Sequence, residues 1–460
     1  MTTGLAGDLR DALPGVPVVD DPDALSAYAR DQVPGLPAGK PAAAVFPAET
    51  AEVQEIMRIA SRTGTPVVTQ GAATGLAGAA NAVDGCLILS TRRMDRILEI
   101  DAAEGIAVVQ PGVVNARLRE AAQRDGRFYP PDPGSFEACT IGGNVATGAG
   151  GMCCVKYGVT ADYVRALEVV LADGSVLRTG RRTVKGVAGY DLVKLFTGSE
   201  GTLGVITEVT VALRAAPAPP RTVVAEFGSL AAAGAAISAV LAGGATPSLV
   251  EILDRTTLAA IESWQPLGIG SDVAALVLLQ SDAADADAQT EAWSGVLEGT
   301  EATGVYKADD AAESELLMQA RRLAYPALER LGGTLLDDVA VPRGALTTLI
   351  EGVERIAAAH GLTIGVFGHA GDGNLHPTIV YDRADPAGER RAFAAFDDIV
   401  SLALDLGGTV TGEHGVGLLK RSWLARELDP VALRVHASIK AALDPAGLLN
   451  PSKVFEATTG

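Results

Sequence analysis

Aromatic and basic residues are scarce in this chain of 460 residues. Phe, Trp and Tyr make up 4% of it, and 37 Lys and Arg stand against 56 Asp and Glu, for a formal net charge of −19. Nucleic acids and anionic membranes attract basic surfaces, so this balance argues against both as electrostatic partners. No uncharged apolar run reaches about 18 residues, and we therefore expect no transmembrane segment.

Cysteine is equally scarce, with Cys86, Cys139, Cys153 and Cys154 as the whole set. Two of them are adjacent and no Cys-x-x-Cys pair occurs, so neither a disulfide framework nor a redox motif is predicted. Reduced thiols are usual in cytoplasmic proteins. The N-terminus has no basic region followed by an apolar run, so no signal peptide is expected. We predict a cytoplasmic protein, with peripheral attachment to a membrane as the alternative.

The length favours two to four domains, and the 48% hydrophobic content fits a compact protein of mixed helices and strands. The stretch Ala215-Ala-Pro-Ala-Pro-Pro220 is typical of a linker, and we place a domain boundary there. Beyond it, strand-like runs at 221–227, 275–279 and 362–367 alternate with Ala-rich helical segments. This pattern predicts an antiparallel sheet with helices on one face.

Glycine is abundant, with 53 residues, and it gathers in three clusters at 70–79, 139–151 and 198–204. Small residues let backbone amides approach a ligand, and consecutive amides can bind an anion. The first cluster is not a Walker loop, because no Gly-Lys-Ser/Thr ends it, and its glycines lack the spacing of the dinucleotide fingerprint. The second lies in a run without periodicity, 129–157, where we predict an ordered functional loop. One such cluster is more often a structural turn, but three flanked by strands predict a large cofactor.

Histidine is also rare, and three of the five lie in two short stretches. His369 and His376 flank a Gly-rich turn, while Glu413 and His414 are adjacent. A neutral imidazole suits proton abstraction near neutral pH. Two imidazoles and a carboxylate with open positions suit a catalytic zinc, manganese or iron ion. Local hydrogen bonding without chemistry, metal without catalysis, and catalysis without metal are the alternatives.

These stretches and several others resemble one flavoprotein lineage. The motifs are Pro130-Pro-Asp-Pro-Gly-Ser135, Cys139-Thr-Ile-Gly-Gly-Asn144, Lys185-Gly-Val-Ala-Gly-Tyr-Asp-Leu192, Gly198-Ser-Glu-Gly-Thr-Leu-Gly-Val-Ile-Thr207, His369-Ala-Gly-Asp-Gly-Asn-Leu-His376 and Gly412-Glu-His-Gly415. Over about residues 20–456 the sequence is similar to the FAD-linked D-2-hydroxyacid dehydrogenases, which include glycolate oxidase large subunits, D-lactate dehydrogenases and D-2-hydroxyglutarate dehydrogenases. They belong to the vanillyl-alcohol oxidase / p-cresol methylhydroxylase superfamily.

The resemblance implies an α+β fold with a two-subdomain FAD-binding domain of the p-cresol methylhydroxylase type. An antiparallel-sheet substrate or cap domain with helices on one face follows, and a C-terminal helical segment returns to the FAD domain. The expected limits are 1–37 for an N-terminal helical segment, 38–216 for the FAD domain, 217–410 for the substrate domain and 411–460 for the C-terminal segment.

The resemblance also implies which residues hold FAD. The pyrophosphate loop usually reads Arg-Gly-Gly-Gly-Thr, whereas this chain has Gln-Gly-Ala-Ala-Thr, with two added methyl groups and one cation fewer. No histidine precedes His360, so a non-covalent flavin is expected. The implied FAD-binding residues are Gln70, Gly71, Ala72, Ala73, Thr74, Gly75 and Gly78 at the pyrophosphate, Pro131, Thr140, Gly143, Asn144 and Ala146 beside the isoalloxazine and ribityl chain, Glu200, Gly204 and Ile206 on the adenosine side, and Asn450 near the flavin.

The implied reaction is oxidation of a D-2-hydroxyacid such as glycolate or D-lactate, with hydride transfer to flavin N5. The positions that match metal ligands are His369, His376 and Glu413, and the one that matches the base is His414. The positions expected to contact substrate are Arg321, Asn374 and Lys453. Arg321 would pair with the substrate carboxylate, and Arg322 is the competing choice for that pairing. Leu336 falls where hydroxyglutarate-specific relatives place a Lys, which favours a substrate with one carboxylate.

Partners and alternatives follow from the same resemblance. Electrons would pass to a quinone, a cytochrome or an electron-transfer flavoprotein, and the chain would form a homodimer or a complex with an iron-sulfur subunit. The competing functions are a non-catalytic flavin-binding subunit and a D-2-hydroxyglutarate dehydrogenase. Ether-lipid synthesis or phenol oxidation is disfavoured, because those lineages lack the run of histidines.

Overall fold

The computed structural model describes residues 4–455, and its helices form mostly where apolar residues recur every three or four positions. They are α1 (Leu5–Ala12), α2 (Pro22–Leu25), α3 (Thr50–Thr63), α4 (Asn115–Arg124), α5 (Ile141–Thr147), α6 (Cys154–Tyr157), α7 (Thr160–Tyr163), α8 (Leu192–Phe196), α9 (Leu230–Ala242), α10 (Arg255–Trp264), α11 (Ala286–Glu298), α12 (Ala311–Leu317), α13 (Gln319–Glu329), α14 (Leu346–His360), α15 (Pro386–Asp405), α16 (Leu424–Glu427) and α17 (Pro430–Leu443).

The strands are short and rich in Val, Ile and Leu. They are β1 (Val18–Val19), β2 (Ala43–Val45), β3 (Val67–Gln70), β4 (Leu87–Ser90), β5 (Ile97–Asp101), β6 (Ile106–Val109), β7 (Arg127–Phe128), β8 (Val164–Val170), β9 (Val176–Gly180), β10 (Val205–Ala212), β11 (Arg214–Ala215), β12 (Arg221–Phe227), β13 (Leu249–Asp254), β14 (Ala275–Ser281), β15 (Ala302–Lys307), β16 (Gly333–Leu336), β17 (Val339–Ala340), β18 (Thr363–His369) and β19 (Asn374–Tyr381).

The chain divides into two compact units, and the first, called unit 1, has two larger sheets and a two-stranded antiparallel sheet of β7 and β11. Unit 1 takes the residues up to Gly150, then Val159–Ala216, and then the segment from Glu413 onward. Its four-stranded sheet has the order β1-β2-β4-β3, with β2 and β3 parallel to β4. Its five-stranded sheet, β5-β6-β10-β8-β9, is antiparallel throughout. The two larger sheets agree with the predicted two-subdomain architecture.

The second unit, unit 2, is built on one eight-stranded sheet. It comprises Gly151–Gly158 and Pro217–Gly412. Seven of the strands run in the order β15-β12-β14-β13-β18-β19-β16, β17 pairs with β19, and every pairing is antiparallel. Helices α10 and α13 bury apolar side chains against this sheet. The predicted α+β fold with an antiparallel second sheet is confirmed, while the predicted domain limits stay a prediction.

One sequence prediction was wrong in detail, because the run 129–157 is not free of regular structure. It contains α5 and α6. Thr140 caps α5 by accepting the N–H of Gly143, and Gly148, at φ 69°, ends the helix in a left-handed conformation. Gly142 lies against Pro111, where a Cβ would come within 2.9 Å of the Pro111 Cα. The glycines that hid this helix from periodicity analysis are therefore needed for its packing.

No helix among residues 4–455 combines the length and the apolar character that crossing a bilayer requires.

Asp254 makes the stability of unit 2 depend on pH. Its side chain caps α10 by accepting the N–H of Thr257 at 2.8 Å, and 1% of the residue is exposed. Burial raises the pKa of Asp254 to about 6. The folded state then holds a proton that the unfolded chain has lost, so the free energy of unfolding falls as pH rises from about 4 to about 6. We expect Asp254→Asn, which keeps the cap, to abolish this fall.

The measurement is urea unfolding of wild type and variant at about pH 5 and about pH 8, where the variant should gain about 1 kcal/mol relative to wild type between the two conditions. Asp310→Asn is the matched control, since Asp310 caps α12 in the same way but is exposed. Its curve should stay parallel to that of wild type. A parallel curve for Asp254→Asn would contradict the prediction.

Candidate active site

His369 and His376 form a buried pair across the β18–β19 hairpin of unit 2. His369 is the last residue of β18, and His376 is the third of β19, opposite Phe367. Their Nε2 atoms are 3.3 Å apart, and their exposed fractions are 3% and 4%. Gly373, at φ 77°, allows the tight connection between the strands. Two imidazole nitrogens that converge in this way match the donor type and spacing that a divalent metal uses.

Glu251 on β13 holds His369 from the other side. It is directly opposite His369 in the β13–β18 pairing, and its Oε1 is 2.6 Å from His369 Nδ1. Its Oε2 accepts a hydrogen bond from Nε of Arg321 on α13. Burial raises the pKa of Glu251, but the charges and hydrogen bonds of His369 and Arg321 outweigh burial and leave that pKa below its usual value. Glu251 is therefore an ionised carboxylate inside the sheet.

Arg321 is fixed in a second way. Its guanidinium carbon lies 4.9 Å from the centre of the Phe367 ring. Such stacking restrains the plane of a guanidinium. Arg321, the residue predicted to pair with the substrate carboxylate, is thus in the same cluster as the histidine pair.

Asn374 supports the hairpin turn. Its Nδ2 donates to Asp338 Oδ1 at 2.7 Å and to the Val339 carbonyl at 3.0 Å. Asp338 Oδ2 accepts the Thr411 hydroxyl at 2.7 Å and the Gly412 N–H at 3.0 Å, and Asp338 Oδ1 lies 3.8 Å from His376 Nδ1. The amide hydrogens of Asn374 are used within the protein, so a contact to substrate would fall to its Oδ1.

Glu413 and His414 begin the last segment of unit 1, directly after Gly412. Glu413 Oε1 and His414 Nε2 are 3.8 Å apart, and both side chains are largely buried. Glu200 fixes the turn that follows, because its carboxylate accepts the N–H groups of Val416 at 2.7 Å and Gly417 at 2.8 Å. Burial raises the pKa of Glu200 to about 7. Glu200, predicted on the adenosine side of FAD, therefore also supports the turn after His414.

The first glycine cluster has the features of an anion cradle. Within residues 4–455, none of the backbone N–H groups of residues 72–77 donates a hydrogen bond. Arg92 donates to the Gly71 carbonyl at 3.0 Å and to the Ala72 carbonyl at 2.7 Å. These two hydrogen bonds hold both carbonyl oxygens toward Arg92. Gln70 donates to the Tyr28 and Ala80 carbonyls, each at 2.8 Å. Unused amides and a nearby cation suit the FAD pyrophosphate.

A second feature of unit 1 also fits a bound cofactor. Asn144 on α5 is 4% exposed, and its Nδ2 has no hydrogen-bond partner within residues 4–455. A buried amide of this kind normally has a partner, which a ligand can supply. The other residues predicted along the flavin lie in the same unit: Pro131 and Thr140 before α5, Gly143 and Ala146 within it, and Gly204 and Ile206 at the start of β10.

Asn450 and Lys453 tie the C-terminal segment to the first glycine cluster. Asn450 Nδ2 donates to the Ala79 carbonyl at 2.9 Å and to the Glu200 carbonyl at 2.7 Å. Lys453 Nζ donates to the Asn81 carbonyl at 2.6 Å, and burial lowers the pKa of Lys453 to about 8. Its hydrogen bond to the Asn81 carbonyl gives Lys453 a structural task, and its substrate role stays a prediction.

Sequence reasoning missed three residues of these sites. Arg92, Glu251 and Asp338 were not singled out, although each holds a predicted site residue or loop. A signal existed for Glu251, which is the one charged residue in the otherwise apolar run Leu249–Leu253. A charge in such a strand needs a buried partner and so marks a site. Asp338 carries a similar signal, because it follows Asp337 within an apolar run, whereas Arg92 carries none.

Ala73 allows a test of backbone strain in the first glycine cluster, because it is a non-glycine residue at φ 55°. The left-handed region costs a residue with a Cβ about 1–2 kcal/mol, partly offset in glycine by greater freedom when unfolded. We expect Ala73→Gly to raise the free energy of unfolding by about 1 kcal/mol, measured by urea titration. Ala72→Gly, in the same loop at negative φ, is the control and should destabilise. Equal effects of the two changes would refute the explanation.

Two protein families match most of the chain. The family described as "FAD linked oxidases, C-terminal domain" matches residues 216–454, and the one described as "FAD binding domain" matches residues 41–180.

Similar proteins of known name agree with these families. The glycolate oxidase subunit GlcD of Bacillus subtilis is 40% identical over 418 residues, with 90% of this chain and 89% of the relative covered. GlcD of Escherichia coli K12 is 36% identical, with 97% and 89% covered. A D-lactate dehydrogenase of Anaerostipes hadrus is 33% identical, with 93% and 92% covered.

Solved structures show the same fold at lower identity. An alkyldihydroxyacetonephosphate synthase superposes with a TM-score of 0.79 at 20% identity, covering 98% of this chain and 86% of that one. A p-cresol methylhydroxylase superposes with a TM-score of 0.79 at 19% identity, covering 98% and 96%. These likenesses bear on the fold alone.

Proposed function

We propose a reaction for this chain, which belongs to the family of FAD-linked oxidases and is an FAD-linked oxidoreductase. The substrate is a D-2-hydroxyacid with one carboxylate, such as glycolate or D-lactate, and the product is the 2-oxoacid. The observation that carries the proposal is the cluster in unit 2. Arg321 and His369 both bind Glu251, and His376 contacts His369. A guanidinium suits a carboxylate, and converging imidazoles suit a metal that binds a hydroxyl.

Named relatives support this substrate class. Two are glycolate oxidase subunits and one is a D-lactate dehydrogenase. Glycolate and lactate are both small 2-hydroxyacids with a single carboxylate. Leu336, rather than a Lys, agrees with a monocarboxylic substrate.

FAD, when bound, supplies the acceptor for the α-hydrogen, which leaves the substrate as hydride. Residues 70–78 would hold its pyrophosphate through the unused amides, aided by the Arg92 cation. Asn144 would give its buried Nδ2 to the cofactor. The other predicted FAD residues keep their proposed places, with Pro131 and α5 along the ring and ribityl chain, and Glu200, Gly204, Ile206 and Asn450 nearby. The flavin is non-covalent in this proposal.

A divalent metal, when bound, supplies a Lewis acid that lowers the pKa of the substrate hydroxyl. We propose His369 and His376 as ligands through Nε2, with Glu413 as the third. The donor set fits such an ion, since Nδ1 of His369 is held by a carboxylate and Nε2 is left to point at its neighbour. Glu413 directly follows Gly412, whose N–H donates to Asp338, so the backbone just before Glu413 is fixed.

His414 acts as the base in this proposal. It takes the hydroxyl proton of the substrate onto its imidazole, a task that neutral histidine performs near neutral pH. Arg321 orients the carboxylate, and Asn374 Oδ1 and Lys453 remain the further candidates for substrate contact. The turn after His414 is held by Glu200, which limits the positions that the imidazole can take.

The GlcD relatives are named as subunits, which favours a partner protein for this chain too. We propose that electrons pass to a quinone, a cytochrome or an electron-transfer flavoprotein, either from a homodimer or from a complex with an iron-sulfur subunit. A cytoplasmic location, with peripheral attachment to a membrane as the alternative, completes the proposal.

The test is anaerobic bleaching of the flavin absorbance by a panel of D- and L-2-hydroxyacids. Glycolate and D-lactate should bleach it, whereas L-lactate should not. Bleaching by L-acids alone would overturn the stereochemistry. No bleaching by any acid would favour a non-catalytic subunit.

A further inference from the structure

Glu251 is a carboxylate at the centre of the unit 2 sheet, and none of its surface is exposed. Its strand neighbours Val250 and Ile252 are also buried. An ionised carboxylate in such surroundings costs several kcal/mol unless it is paired and hydrogen-bonded. A hydrophobic residue would stabilise the sheet more simply, so the partners of Glu251 indicate what it does.

The two oxygens of Glu251 serve two residues with different proposed tasks. Oε1 lies 2.6 Å from Nδ1 of His369, a proposed metal ligand. Oε2 accepts from Nε of Arg321, the proposed partner of the substrate carboxylate. One buried side chain thus fixes both residues.

We propose that Glu251 is the positioning residue that sets the ring of His369 for metal and the guanidinium of Arg321 for substrate, an inference that rests on the proposed function. A carboxylate beside Nδ1 favours the tautomer with the proton on Nδ1 and the lone pair on Nε2. That lone pair points to the Nε2 of His376, 3.3 Å away. Metal affinity of the pair therefore depends on Glu251.

The Glu251 carboxylate also fixes how the Arg321 guanidinium is rotated within its own plane. Phe367, with its ring centre 4.9 Å from the guanidinium carbon, fixes the plane itself. Since Nε is bound to Glu251, the two terminal nitrogens are the edge that can form a bidentate pair with a carboxylate. Rotation of the guanidinium within its plane would break the hydrogen bond to Glu251. The two terminal nitrogens therefore point in one fixed direction.

The experiment compares Glu251→Gln with wild type. Gln keeps the size and can still hydrogen-bond, but it has no charge and only one acceptor oxygen. We expect unchanged far-UV circular dichroism and flavin content, a zinc affinity lowered by about 10–100-fold, and a pyruvate affinity lowered by about tenfold. Zinc is measured by competition with a chromophoric chelator, and pyruvate by perturbation of the flavin absorbance. Glu226→Gln, a partly buried glutamate of β12 that bonds Tyr306, is the matched control and should change neither affinity.

Double variants distinguish a positioning role of Glu251 from general disruption of the fold. Arg321→Met should weaken pyruvate binding much more than zinc binding. Adding Glu251→Gln to it should cost little further pyruvate affinity while clearly lowering zinc affinity. Glu251→Asp, which keeps the charge, should recover part of the loss and serves if the Gln variant folds poorly. Unchanged affinities in Glu251→Gln, or full additivity with Arg321→Met, would overturn the role. A wild-type flavin that no 2-hydroxyacid reduces would instead overturn the proposed function, and the zinc affinities would still decide whether Glu251 positions His369.

Discussion

Replacing His414 by alanine should slow reduction of the flavin by a 2-hydroxyacid about a thousandfold, within the range that a positioned general base contributes. The physical reason is that the substrate hydroxyl must lose its proton as the α-hydrogen leaves, and no other imidazole adjoins this turn in the sequence. Rapid mixing under anaerobic conditions gives the reduction rate directly. Saturation with substrate separates a loss of rate from a loss of binding.

His360→Ala is the control for this variant. His360 ends α14 and bonds Asp398 at 2.7 Å, so it has a side-chain partner of its own and no proposed part in the reaction. The control should reduce its flavin at the wild-type rate. His414→Ala should also retain its metal, because His414 is the proposed base and not a ligand. A His414→Ala enzyme with full turnover would contradict the assignment.

Loss of the proposed metal should have the second large effect. We expect His376→Gln to lose bound zinc or manganese and to reduce its flavin about a hundredfold more slowly, because a Lewis acid supplies several kcal/mol to such a reaction. His376 Nε2 converges on His369 Nε2, and an amide is a poor replacement for imidazole as a ligand. Metal content per chain is measured by mass spectrometry of the purified protein.

Chelation gives the same result without a mutation. Treatment with a strong chelator should slow reduction of wild-type flavin, and added metal should restore it. His360→Gln should keep the wild-type metal content. Reduction at the full rate after the metal has been removed would show that the imidazoles act without it.

Local patterns in the sequence reached part of this arrangement. The sequence predicted a Gly-rich turn between His369 and His376, and in the structure that turn joins β18 to β19. Glycine clusters between strands predicted an anion cradle, and the first cluster has unused amides. In each case the signal lies within about ten residues, the range in which turn chemistry and alternation act.

The contacts that could not be predicted from the sequence join residues that are far apart along the chain. Glu251 lies 118 residues before His369, and only the β13–β18 register makes them neighbours. Asp338 reaches Asn374 in the same way. Helix α5 was missed because its glycines carry no periodic apolar signal, while its packing against Pro111 requires them. A cross-strand register is a property of the whole sheet and has no local signature.

That register makes the site sensitive to insertions in one short stretch. Successive side chains of β13 point to opposite faces, so one extra residue between Leu249 and Val250 would turn the Glu251 carboxylate away and bring Val250 opposite His369. The same insertion in the connection 243–248, before the strand begins, would leave the alternation intact. Chimaeras built from related chains should therefore be joined in that connection, and never inside β13.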